Sequence, residues 1–192
     1  MSAWDLPVSL DVGGTGFSIR TDFRDILYIL ECFNDPNYLD ESKQIIMLQV
    51  LYPDWKQIPE NCIDEALRKA KEFIDMGLGK DDEKRNRPTL MDWEQDAPII
   101  IPAINKVMGK EIRSIPYLHW WTFLSAYMEI GDGLFSNVIN IRQKKAKKKK
   151  LEKYEKEFYR DNKELIDLKR KESDEEQAAK NEVRELLGLR KR

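Results

Sequence analysis

Residues 22–33 read DFRDILYILECF, and their spacing sets the fold class. Phe23, Ile26, Leu27, Leu30 and Phe33 recur at steps of three and four, which is the period of one helix face. Asp22 can cap the start of that helix, and Asp25 sits where the N-terminal dipole favours a negative charge. Asn34-Asp35-Pro36 ends it. Toward the N-terminus the period changes to two. Val8, Leu10 and Val12 alternate with polar neighbours, as do Phe17 and Ile19. Gly13-Gly14-Thr15-Gly16 between them supplies the positive φ of a tight turn, which predicts a β-hairpin within residues 6–21. A phosphate loop fits less well, because no Lys-Ser/Thr pair and no helix start follow the glycines.

Toward the C-terminus the helical period continues. A second helix is expected from about Asp40 to Tyr52, through Ile45, Ile46, Leu48 and Leu51, stopping before Pro53. A third opens at Pro59, with Ile63, Ala66, Leu67, Ala70, Phe73 and Ile74 as its stripe and Gly77 just past its end. Residues 77–88 have no apolar period and read as a polar loop. Asp92-Trp93-Glu94-Gln95 resembles a capping box, with Gln95 at its third position. Pro98 and Pro102 then interrupt an apolar stretch, which predicts a kinked or broken helix ending near Gly109. A further helix is expected from Ser114-Ile115-Pro116 through Tyr117, Leu118, Trp121, Leu124 and Met128. After Gly131-Asp132-Gly133, the spacing of Leu134, Phe135, Val138 and Ile141 restarts it. The fold class is therefore mainly α, a helical bundle with a small N-terminal β-hairpin.

Charge divides the chain. Its 192 residues hold 33 Lys/Arg and 35 Asp/Glu, a net −2. Residues 142–192 hold 19 basic and 12 acidic side chains, a net +7, so residues 1–141 hold 14 and 23, a net −9. All five tryptophans and all eight prolines precede residue 142. These contrasts suggest a helical body over 1–141 and a basic extension over 142–192. The extension starts in a lysine run, followed by a thin apolar stripe of Leu151, Tyr154, Phe158, Leu165 and Leu168. Val183, Leu186 and Leu187 form a last short stripe. The expectation is a projecting charged C-terminal helix, its first part packed on the body or on a neighbouring subunit. Its acidic stretch near Lys171–Gln177 is expected to be partly disordered.

Several function classes are disfavoured. No apolar run approaches the roughly 18 residues of a membrane span. The first twenty residues lack the basic start and apolar core of a secretory signal. Two cysteines, Cys32 and Cys62, make no disulfide framework, so a reducing compartment is the default. His119 is the sole histidine, and nothing nearby supplies a nucleophile at catalytic spacing. A zinc site would need more Cys and His than the chain places together. Asp92, Glu94 and Asp96 read better as helix-start charges than as cation ligands. No catalytic, metal or cofactor-binding residue is therefore expected.

Partner binding is the remaining class. Trp120 and Trp121 lie on adjacent faces of one helix, so one of them must pack elsewhere or be exposed. Together with Leu151, Tyr154 and Phe158 they are the candidate partner contacts. Lys144, Lys145, Lys147, Lys148, Lys149 and Lys150 form the basic run. Nucleic-acid binding is its sharpest reading. Acidic neighbours, the absence of an interleaved aromatic and the −9 body favour a solvated or partner-docking face instead.

The order of these features resembles a known family. Thr21-Asp22-Phe23-Arg24-Asp25 follows the hairpin, Leu51-Tyr52-Pro53 ends a helix, and Ile58-Pro59-Glu60 starts the next. Asp92-Trp93-Glu94-Gln95-Asp96-Ala97 and Tyr117-Leu118-His119-Trp120-Trp121-Thr122-Phe123 come later, and Ile139-Asn140-Ile141-Arg142 leads into the charged tail. Over roughly residues 4–165 this resembles the bacteriophage family named for gene product fifteen, from long-tailed phages of Gram-positive hosts. Pro98 and Pro102 look like departures, and the tail beyond about residue 170 is longer than the family suggests. The resemblance implies a non-enzymatic tail assembly chaperone that acts in the host cytoplasm and is absent from the mature virion. Its implied partner is the phage tape measure protein, which it keeps soluble until the tail tube polymerises. The major tail protein and a second copy of this chain are further candidate partners.

Overall fold

The computed structural model describes residues 4–78, 88–169 and 171–186. Most of the expected polar loop, and Leu187 of the last apolar stripe, lie outside the described residues. The architecture is mainly α, a helical bundle preceded by one antiparallel hairpin.

Strands β1 (Ser9–Val12) and β2 (Thr15–Ser18) pair with Val12 opposite Thr15. The two turn residues, Gly13 and Gly14, have φ of 58° and 79°, a left-handed conformation that favours glycine. Gly13 is also crowded, since a Cβ there would meet Cys62 Sγ at 2.8 Å. Its N–H donates to Glu65 Oε2 at 3.0 Å, which fastens the turn to the third helix.

Helices α1 (Phe23–Asn34), α2 (Asp40–Leu51) and α3 (Ile63–Ile74) fall where the periodicity put them. The start of α3 is displaced by a short 3₁₀ turn over Glu60–Cys62. Asp22 caps α1 by accepting from Arg24 N at 3.0 Å. Ile26, Ile29, Leu51, Tyr52, Ala66, Ala70 and Phe73 fill the space between these helices. The buried Tyr52 hydroxyl donates to the Ala66 carbonyl at 2.9 Å, so its phenol needs no water.

Helix α4 (Ala97–Met108) is continuous through Pro102, against the expected break. Pro98 occupies the first turn, where its missing N–H is no loss. Pro102 therefore costs only the bond to the Pro98 carbonyl, at the very start of the ladder. Gly109, at φ 67°, ends the helix as expected. The capping box is half correct. Asp92 Oδ1 accepts from Glu94 N and Gln95 N, but the Gln95 side chain turns away to the C-terminal segment.

Helix α5 (Trp120–Met128) starts later than the sequence suggested. Tyr117 and Leu118 are extended, because this strand-like stretch pairs with the residues before α1. Phe23 N donates to Leu118 O at 3.0 Å, and Trp120 N donates to Thr21 O at 2.7 Å. Those bonds satisfy backbone groups that a longer helix would have used internally.

Helix α6 (Leu134–Ala146) crosses the compositional boundary at 141/142 without a break. It ends inside the lysine run, where Lys148 takes a left-handed φ of 53° and Lys149 N donates to Lys144 O at 2.8 Å. Glycine normally fills that position, and its absence here hides the stop. The chain then doubles back as α7 (Lys153–Asp161) and α8 (Lys163–Ile166), with Ile166 fully buried in the core. The first part of the extension is thus a strap packed on the bundle, as its apolar stripe suggested. The stretch expected to be disordered is also structured. Lys171 pairs with Glu94 at 2.8 Å, and α9 (Asp174–Leu186) opens behind Ser173, whose Oγ accepts from Glu176 N. The exposed α9 is the part that fits a projecting charged helix. No helix among the described residues is long and apolar enough to cross a membrane.

Candidate functional site

His119 is a helix cap. Its Nδ1 accepts from Trp121 N at 3.0 Å, so Nε2 carries the proton and donates to the Pro7 carbonyl at 3.0 Å. Both ring nitrogens are engaged by backbone in a buried position, which suits a structural histidine.

The two tryptophans separate. Trp120 is 1% exposed, and its indole N–H donates to Ile74 O at 2.8 Å. It stacks on Phe123 at 5.5 Å and meets Trp93 edge-on. This is a core residue, so the candidate partner contact at Trp120 is withdrawn. Trp121 is half-buried, with its N–H on Phe73 O at 2.8 Å and its ring stacked on Phe73 at 5.9 Å. Its remaining edge stays available at the surface.

The acidic triplet is dispersed by use. Asp92 caps a turn, Glu94 pairs with Lys171, and the fully buried Asp96 grips Arg142 through both oxygens at 2.6 and 2.8 Å. Among the described residues no group of His, Cys, Asp or Glu is arranged to hold a metal ion.

Arg142 is the functional residue that the charge division concealed. Besides Asp96, its guanidinium donates to the carbonyls of Leu90, Leu165 and Ile166, at 3.0, 2.9 and 2.6 Å. One side chain thereby joins α6, the start of α4 and the end of α8. Its planar fork matches a carboxylate and several carbonyls at once, which lysine could not do. The signal was present, since Arg142 follows Val138 by four residues on the buried face of α6.

The basic run also divides. Lys144 donates to Glu155 Oε1 at 2.5 Å. Glu155 is 1% exposed and further accepts from Asn140 Nδ2 and Glu152 N. The lysine bond, more than the others, holds the Glu155 carboxyl below the usual range, and Glu155 raises Lys144 in turn. Lys145 pairs with Asp167 and lies 3.8 Å over the Tyr159 ring. Lys147, Lys148, Lys149 and Lys150 are exposed at the turn and make no ion pair with a described residue.

Of the stripe, Leu151 and Phe158 are half-buried, while Tyr154 is 67% exposed. Tyr154, Phe158 and Ile141 line a shallow cleft of about 270 Å³ between α6 and α7. A second, larger furrow of about 410 Å³ lies between α4 and the turn into α6.

A family model described as Bacteriophage Gp15 protein matches residues 4–168. No curated protein and no solved structure matches the chain. The matched stretch takes in the hairpin, the bundle and the strap clamped by Arg142, and stops before α9. The chain is a bacteriophage protein and belongs to the Bacteriophage Gp15 protein family.

Proposed function

We propose that this phage protein is a tail assembly chaperone, which binds the tape measure protein and keeps it soluble until the tail tube polymerises. The observation that carries the reading is family membership over residues 4–168, together with the role that the family resemblance implies. The geometry supports it in two ways. The sole histidine and the acidic triplet are engaged in holding the fold together. The surface also keeps apolar relief, in the furrow beside α4 and the cleft beside α7. A helix-rich apolar client fits such relief by laying one face into a groove. Binding at each site must be weak, so that tube subunits displace the chaperone, and repeated sites along the client supply the avidity. The protein then acts in the host cytoplasm and leaves no copy in the mature virion.

Co-expression tests this directly. The tape measure protein of the same phage should move from the pellet to the soluble fraction when this chain is present. Equal insolubility with and without it rejects the reading. The four exposed lysines at 147–150, which make no ion pair with a described residue, favour one other reading, a nucleic-acid-binding accessory protein. Duplex DNA affinity would then fall with salt at a log–log slope of about −3 to −4, for about four neutralised phosphates. Absence of binding at about 50 mM salt rejects it.

A further inference from the structure

Helix α4 carries more apolar surface than the core uses. Ile100 and Ile104 turn inward, and the buried Ile99 also borders the furrow. Pro98, Pro102, Ala103 and Val107 instead line the 410 Å³ furrow, and Val107 is 41% exposed. Ile130, Leu134 and Phe135 form the facing wall, around the Gly131–Asp132–Gly133 turn. The rim is charged with opposite signs on opposite sides. Lys106 stands on the α4 wall, and Glu129 and Asp132 stand on the other. Pro102 has no N–H to offer the Pro98 carbonyl, so an acceptor remains on the helix face that borders the furrow.

We propose that this furrow is the client-docking site, and that its occupant is a short amphipathic helix of the partner protein. The occupant presents apolar side chains at i, i+3 or i+4, and i+7. It carries Lys or Arg along the flank facing Glu129 and Asp132, and Asp or Glu along the flank facing Lys106. The inference rests on the chaperone reading and deepens it by naming where the client sits and what it looks like. Length favours a helix, since Ala103 and Val107 continue the row from Ile99 over two turns, about 12 Å of wall. Both walls are helix or turn, so no sheet edge is offered to an extended peptide. Charge fixes the orientation, because reversing the occupant's flanks would bring like charges together on both rims.

The test uses the full chain, with overlapping 30-residue peptides tiling the tape measure protein of the same phage. Binding is read by fluorescence anisotropy, and client solubility by co-expression. Ala103→Glu and Val107→Glu put an unpaired carboxylate in the furrow and should each weaken the best tile at least about tenfold. Circular dichroism and the melting temperature should stay near wild type, because neither side chain is fully buried. Leu39→Ala, an exposed position before α2 that lines neither cleft, should leave the same affinity within about twofold. Lys106→Glu combined with Glu129→Lys and Asp132→Lys reverses both rims, and should move the preference to tiles with the opposite flanking order. If the wild type solubilises the client and the furrow variants do so equally well, the furrow is not the site and the chaperone reading survives. If the wild type fails to solubilise it, the reading falls and this inference falls with it. A wild-type dimer that Ala103→Glu dissociates would assign the furrow to a second copy, and would also overturn the proposal.

Discussion

Around α5 the bundle is closed by rings, whereas the strap of α7 and α8 is closed by charge. Phe23 and Phe123 stack at 4.7 Å, Trp120 stacks on Phe123, and Trp93 packs against Tyr127 at 5.0 Å. The His119 ring and the Trp120 and Trp121 indole N–H groups there are answered by backbone. The strap offers the core only Ile166 and the partly buried Leu151, Phe158, Tyr159 and Leu165. Its attachment comes from Arg142 on two of its carbonyls, Lys144 on Glu155, and Lys145 on Asp167. Burial of apolar area is insensitive to pH and to small shifts. A charged clamp has demanding geometry and fails at once when one partner is lost. One region should therefore respond to volume and the other to charge.

The largest effect is expected for Asp96→Ala. It leaves the Arg142 guanidinium buried without a counter-charge, which should cost about 3–5 kcal/mol in urea unfolding. Amide exchange at Leu165–Lys169 should accelerate more than exchange in α1. Equal acceleration in both regions would show that the strap has no separate clamp.

Trp120→Phe comes next. It removes ring volume and strands the Ile74 carbonyl, for about 2–3 kcal/mol. Strap protection should fall only as far as global stability does. A selective loss of strap protection would contradict the division.

Acid separates the regions by sign. The folded state holds Glu155 low, so its contribution is complete above about pH 4.3 and fades as pH falls through the lower folded value. Burial raises Asp25 and Asp75 instead, so their folded forms take up protons more readily and gain from acidification. Between about pH 4 and 3 the strap should lose amide protection before α1 does. On the alkaline side Lys144 is raised, and its contribution persists until pH passes above about 10.4. Simultaneous loss of α1 and the strap in acid would refute this.

The smallest effects distinguish positions within the strap. Half-buried Phe158→Ala should cost about 1–2 kcal/mol, and exposed Tyr154→Ala no more than about 0.5 kcal/mol. Thermal melts of the two variants measure the difference. A larger loss at Tyr154 would place that ring in a contact of the assembled protein.

The elements written in local period were legible. The hairpin was readable from alternation around two glycines, and α1 from Asp22 and its apolar stripe. The start of α5 was not, because Tyr117 and Leu118 continue an apolar run whose backbone pairs with residues almost a hundred positions away. The helical start of α9 was not legible although Ser173-Asp174-Glu175-Glu176 holds a helix-start signature, since its acidity reads as disorder. For the site, Tyr154 stands out of the packed stripe at 67% exposed, and Trp120 is in the core. Sequence alone cannot choose which of two adjacent tryptophans faces inward when both flanks are apolar.

Composition and periodicity by themselves determined a mainly helical chain, its N-terminal hairpin and a change of charge near residue 142, because these depend on neighbours a few positions apart. The fate of that charge was decided by tertiary structure. Arg142 is buried because Leu90 and Asp96 on one segment and Leu165 and Ile166 on another converge on it. Lys144 and Lys145 hold the strap while Lys147–Lys150 remain in solvent, because α6 ends between them and turns the chain back. A charge count sums such side chains alike. Their energies differ because burial and the partner at hydrogen-bond distance, not sequence position, set the strength of an ion pair.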